Sequence, residues 1–133
     1  MKAKKSMIIF LSIICIAFFS CKKDSPKPAE PISTMVGTWV GESVFIGYEP
    51  SFISFVIKDH TLLVVNKDGN TLGNGNWKLD GTAFTAKIIY NPPFNATYTY
   101  TASFNGTNKL ASGAYINDDD AGNTGTWEMT KTP

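Results

Sequence analysis

From Met35 to Pro133 the chain is a series of short apolar and β-branched runs separated by connections too short to hold a helix. Eight runs rich in Thr, Val, Ile, Tyr, Phe and Trp can be marked: 37–45, 51–58, 61–66, 71–79, 82–90, 95–104, 109–117 and 124–131. These are the residues that suit a pleated, half-buried surface. The separators are Gly47-Tyr48-Glu49-Pro50, Asp59-His60, Lys67 to Asn70, Asp80-Gly81, Asn91 to Phe94, Asn105 to Asn108 and Asp118 to Asn123. They are of hairpin length, with turn-forming Asp-Gly and Asn-Gly pairs. No helical period of convincing length interrupts them.

Consecutive hairpins make a meander, and eight twisted strands in chain order remove both open edges by closing into an up-and-down antiparallel barrel. The expected fold is therefore all-β. Alternation along the sixth run puts Ala96, Tyr98, Tyr100, Ala102 and Phe104 on one face and Thr97, Thr99, Thr101 and Ser103 on the other. In the fourth run Gly73, Gly75, Trp77 and Leu79 share a face, and two successive inward glycines imply a sharp bend. The second run, with Phe52, Ile53, Phe55, Val56 and Ile57, is apolar on both faces. That calls for an outer cover from the tether or a partner, or else for a two-sheet sandwich.

The chain begins differently. Lys2, Lys4 and Lys5 precede an apolar run from Met7 to Phe19, which ends at Ser20-Cys21-Lys22-Lys23-Asp24. Those 13 residues would rise only about 20 Å as a helix, against a hydrocarbon core of about 30 Å. A basic head, a short apolar stretch and a small residue before cysteine resemble the signal peptide of bacterial lipoproteins. The resemblance implies removal of residues 1–20, lipid attachment at Cys21 and anchoring of the mature chain to a membrane by acyl chains such as palmitate. Phe18 stands where the family most often has Leu, and Lys22 resembles the outer-membrane sorting pattern. An ordinary signal peptide cut near Ser20, with Cys21 incidental, is the alternative. Residues 21–34 carry three prolines and little apolar content, and are expected to form an extended tether of about 40 Å.

Without residues 1–20 the chain keeps nine lysines against eleven acidic residues and no arginine, a net charge of −2. This argues against a nucleic-acid partner, which demands a basic surplus with Arg to grip phosphate. With Cys15 lost and Cys21 lipidated, no disulfide can form within the domain, so the core alone must hold it.

Gly37-Thr38-Trp39 on the first run, with Gly125-Thr126-Trp127 and Lys131 on the last, resembles the Gly-X-Trp signature and closing strand of lipocalins and related calycin barrels. The resemblance implies a lipocalin-like barrel over residues 35–133, in which Lys131 packs over Trp39. It also implies a small hydrophobic or envelope-derived ligand. Trp77, Tyr98, Tyr100 and Tyr115 are the expected ligand-binding side chains; Phe45, Trp127 and Met129 are further large residues placed inside or at the mouth. The alternatives are that these rings are only core, and that the domain is a packed module whose exposed Phe52, Tyr48 and Phe94 dock an envelope protein or a glycan.

No catalytic or metal motif is present. Asp118-Asp119-Asp120 lacks the spacing of a calcium loop, and His60 stands alone. No serine occupies a nucleophile elbow, and sequence gives no distance among Glu42, Glu49 and Glu128, which an acid pair would need. A non-enzymatic protein without cofactor is expected.

Overall fold

The computed structural model describes residues 32–133. The expected signal peptide over residues 1–20, the expected lipid attachment at Cys21 and the expected tether up to residue 31 lie outside the described residues. The rest is a closed antiparallel barrel whose eight strands follow chain order. They are β1 (Gly37–Phe45), β2 (Ser51–Ile57), β3 (Thr61–Val65), β4 (Thr71–Asp80), β5 (Ala83–Tyr90), β6 (Thr97–Phe104), β7 (Lys109–Asn117) and β8 (Thr124–Lys131). β1 pairs with β2 through Gly37↔Ile57 to Ser43↔Ser51, and with β8 through Trp39↔Lys131 to Phe45↔Gly125. The second pairing closes the ring, so the sandwich alternative is set aside.

One expectation needs adjusting. The tether was expected to run extended to residue 34, but Ile32–Met35 form a single helical turn, α1. Met35 is fully buried and its carbonyl accepts the Trp39 indole N–H at 2.8 Å. A wholly apolar side chain next to the first strand gains more from the barrel end than from water, which seats the end of α1 against the barrel.

The barrel has two unlike ends. At the end where β1 starts, Met35, Trp39, Ile57, Leu62, Trp77, Phe84, Phe104, Leu110 and Met129 are buried and fill the interior. Trp39 meets Phe104 edge-on at 6.0 Å and Trp77 stacks with Phe84 at 6.1 Å. A middle layer of Phe55, Tyr100 and Trp127 follows, with pairwise ring separations of 5.5 to 5.7 Å. Such offset and edge contacts add to what burial alone provides. Above that layer the filling stops.

Gly-X-Trp acquires a physical account here. Gly37 sits at φ 140°, and a β-carbon there would come within 2.7 Å of Lys131 Cε. Lys131 lies opposite Trp39, and its ammonium donates to the Thr34 carbonyl at 2.7 Å. The lysine thus ties α1 to the last strand.

The inward glycines of β4 mark a close approach of backbones. A β-carbon at Gly75 would lie 2.0 Å from the Lys87 carbonyl oxygen and one at Gly73 2.6 Å from that of Ile89. What comes close at these glycines is the backbone of the neighbouring strand rather than an aromatic ring. Two bulges were not anticipated. The register slips between Val64 and Val65 against β4, and between Leu110 and Gly113 against β8, where Ser112 has φ 52°. The first turns Leu72 inward beside Gly73; the second restores Tyr115 to the interior.

On β2, Ile53, Phe55 and Ile57 point inward and are buried. Outside, Ser54 is covered, and the Lys67 ammonium lies 5.6 Å over the half-exposed Phe52 ring.

Candidate functional site at the open barrel end

A cavity of about 260 Å³ occupies the end opposite α1. Its lining comes from Ser43 and Phe45 of β1, Ser51, Phe52 and Ile53 of β2, Val64 and Val65 of β3, and Leu72 of β4, with Tyr90, Phe94, Tyr98, Tyr100, Tyr115 and Asn123 completing the wall. Alternation explains the set: Tyr98 and Tyr100 share the inward face of β6, and Tyr90 continues the inward series Phe84, Ala86, Ile88 of β5.

Three of the four expected ligand-binding residues, Tyr98, Tyr100 and Tyr115, meet there. Trp77 does not. It lies near the filled end, its indole N–H donating to the Lys58 carbonyl at 2.7 Å and its ring between His60 and Phe84. Trp77 follows the two glycines along β4, and each step of two residues moves a side chain nearly 7 Å along the strand, so sharing a face with the wall does not place it at the mouth. Phe45 lines the cavity, whereas Trp39, Trp127 and Met129 belong to the packed interior. Sequence reading overlooked Tyr90, which the alternation of β5 could have supplied, and Asn123, which sits in a loop and carries no periodic signal.

The tyrosines form one cluster. Tyr100 stacks on Tyr115 at 5.3 Å, Tyr98 meets Tyr115 at 5.9 Å and Tyr90 meets Tyr98 at 5.5 Å. The Tyr90 and Tyr100 hydroxyls are hydrogen-bonded at 2.8 Å, and Asn123 Nδ2 donates to the Tyr98 hydroxyl at 2.9 Å. Ser43 and Ser51 pair across β1 and β2 at 3.1 Å. Burial pushes the Tyr90 phenol up to about 12 and that of Tyr100 further; the Tyr115 phenol is also raised by burial. Tyr90, Tyr100 and Tyr115 therefore stay protonated at neutral pH, and the lining holds no Lys, Asp, Glu or His.

The other candidates lie elsewhere. His60 is in the turn at the filled end, 3.3 Å from Asp59. Asp118 accepts from Lys87 and from Thr99, each at 2.7 Å, while Asp120 Oδ1 accepts the Gly122 amide within its own turn. Glu42 and Glu128 are directly paired on the outer face of β1 and β8, with Glu128 3.2 Å from the Lys109 ammonium. Among the described residues no group of three His, Cys, Asp or Glu side chains is placed to hold a metal ion.

No protein-family model matches the chain, and no curated protein does. Among solved structures it is similar to a redesigned beta barrel, with a TM-score of 0.57 and 14% identity, covering 77% of this chain and 94% of that one. At that identity the likeness is one of fold: an all-β closed barrel of eight antiparallel strands.

Proposed function

We propose that this is a lipid-anchored lipoprotein of the outer membrane whose lipocalin-like barrel binds one small hydrophobic or envelope-derived ligand at its open end. The observation that carries the ligand-binding reading is the 260 Å³ cavity into which Tyr98, Tyr100 and Tyr115 converge with Tyr90. An engineered cavity of about 150 Å³ takes a benzene ring, so this one is large enough for a fused bicycle. A packed barrel needs no such gap, because an unfilled interior forfeits dispersion contacts on every wall.

The position of the cavity fits an anchored protein. The chain enters the barrel at the filled end, through α1 and Gly37. An acyl anchor at Cys21 would therefore be joined to the barrel at the end opposite the cavity. Two measurements on the full-length protein from its native host test the reading. Cys21→Ser moves the protein from the membrane pellet to the soluble fraction, and the wild-type mature mass carries acyl adducts; an unmodified mature chain refutes the anchor. Solvent extraction of the purified protein followed by mass spectrometry recovers a bound small molecule, and an empty protein in repeated preparations refutes the ligand.

A second reading rests on Ile46, Tyr48 and Phe94, all about two-thirds exposed in the loops around the same mouth. They would dock an envelope protein or a glycan. Phe52 and Phe94 border the cavity, so charges placed on them affect both activities. Ile46 and Tyr48 are outside its lining. Ile46→Asp with Tyr48→Ser leaves small-molecule binding intact and abolishes docking, if docking is the function.

A further inference from the structure

The cavity joins a large aromatic wall to a polar set made only of neutral groups. Its lining holds no Lys, Asp, Glu or His. A carboxylate or ammonium entering it would give up its hydration without meeting an opposite charge, which is costly in a mostly apolar site.

The hydroxyls divide into used and unused. Ser43 and Ser51 bond to each other, and Tyr90 and Tyr100 share one hydrogen bond, in which the accepting hydroxyl keeps its own proton. Tyr98 accepts from Asn123, which leaves its own proton without an acceptor among the described residues. Tyr115 is 8% exposed, yet its hydroxyl bonds to no described residue. Its ring sits 5.9 Å from that of Tyr98 on the same wall. Tyr98 and Tyr115 thus each offer an O–H donor to an uncharged aromatic cavity, and because neither hydroxyl is a buried unsatisfied group, a ligand oxygen that accepts from them takes the place of water.

Resting on the pocket reading above, we infer that the ligand is an uncharged, planar, bicycle-sized compound bearing a carbonyl or comparable acceptor oxygen, held by the Tyr98 and Tyr115 hydroxyls. The rings of Tyr90, Tyr100 and Phe45 supply flat apolar contact, and Tyr98 and Tyr115 orient the oxygen. Donors arranged without a cation distinguish a neutral acceptor from an acid of the same shape, because only the acid loses charge solvation. The raised phenol of Tyr115 keeps that donor protonated at physiological pH.

Three probes of similar size separate the terms: coumarin, neutral with a lactone carbonyl; naphthalene, neutral without oxygen; and 2-naphthoate, charged. Binding to the full-length protein is followed by calorimetry and by the methyl signals of Ile53, Val64 and Leu72, which line the cavity. Coumarin is expected to bind about tenfold more tightly than naphthalene, the worth of about one net hydrogen bond, and 2-naphthoate more weakly than either. Tyr98→Phe combined with Tyr115→Phe keeps both rings and should reduce coumarin to the affinity of naphthalene, leaving naphthalene itself unchanged. Thermal melts of the double variant check that the barrel persists, and each single variant serves should the double fail to fold. Tighter binding of 2-naphthoate than of coumarin overturns the neutral class while leaving the pocket standing, as does a coumarin preference that survives in the variants. Failure of all three probes to shift the methyl signals refutes the pocket and this inference together.

Discussion

The hydroxyls of Tyr90 and Tyr100 lie 2.8 Å apart inside the barrel, although Tyr100 is paired in register with Ala86, four residues before Tyr90 on β5. The small Ala86 side chain opposite Tyr100 leaves the ring room to lean along the barrel toward the mouth. Removing one partner strands the other in a site with little water, so Tyr90→Phe or Tyr100→Phe should each cost about 1–2 kcal/mol. The double variant should cost less than their sum, because no unpaired hydroxyl is left behind. Urea denaturation of the four proteins in the cycle measures it.

The same pair sets an alkaline limit. Folding raises the Tyr90 phenol from 10.0 to about 12 and that of Tyr100 further, burial being the main cause in both. Above about pH 10 the unfolded chain releases protons that the folded one retains. The stabilisation is therefore complete below about pH 10 and is lost as pH climbs toward the folded value, by about 1.4 kcal/mol per pH unit for each such tyrosine. Melting temperature should fall steeply above pH 10, with tyrosinate absorbance appearing at unfolding; Tyr100→Phe should flatten the fall.

Gly75 is predicted to be intolerant of even one methyl group. A β-carbon would lie 2.0 Å from the Lys87 carbonyl oxygen, which belongs to a paired strand and cannot swing aside. Gly75→Ala should destabilise by about 3 kcal/mol or more, at the upper end of overpacking effects. Gly122→Ala, whose nearest neighbour is the movable Asp120 carboxylate at 3.3 Å, should stay within about 0.5 kcal/mol. Chemical denaturation of both variants makes the comparison.

At the filled end, Met35→Ala should cost about 2–5 kcal/mol, since the methionine is fully buried against the first strand. Lys131→Met keeps the stem over Gly37 and removes only the hydrogen bond to Thr34, so about 1 kcal/mol is expected. Thermal melts rank the two, and a larger loss for Lys131→Met would show that the charge rather than the apolar seal holds α1 in place.

Outside the barrel, hydrogen bonds from Lys87 and then Thr99 hold the Asp118 carboxyl below its usual 3.8. A lowered folded value stabilises above the unfolded one and loses that contribution as pH falls through the folded value. Between about pH 6 and about pH 3 the wild type should lose more melting temperature than Asp118→Asn, and added salt should narrow the difference.

The sequence by itself determined the strand count and order, because turn residues and the two-residue alternation are local properties. The bounds of β1, β7 and β8 were legible to the residue, and so was the inward face of β6 with Tyr98 and Tyr100. Composition also sets the first 34 residues apart, a basic and apolar start followed by a proline-rich stretch, from the β-rich remainder. Tertiary structure decided what parity could not. Position along the axis divides Trp77, in the packed end, from Tyr115, at the mouth, since tilt and stagger between strands set that height. Bulges near Leu72 and Ser112 reset which residues face inward, and they arise from pairing with a neighbour rather than from any local pattern. The cavity itself is a global property: it exists because the large rings near α1 fill one end and stop at the layer of Phe55, Tyr100 and Trp127, leaving the tyrosines beyond to face open space.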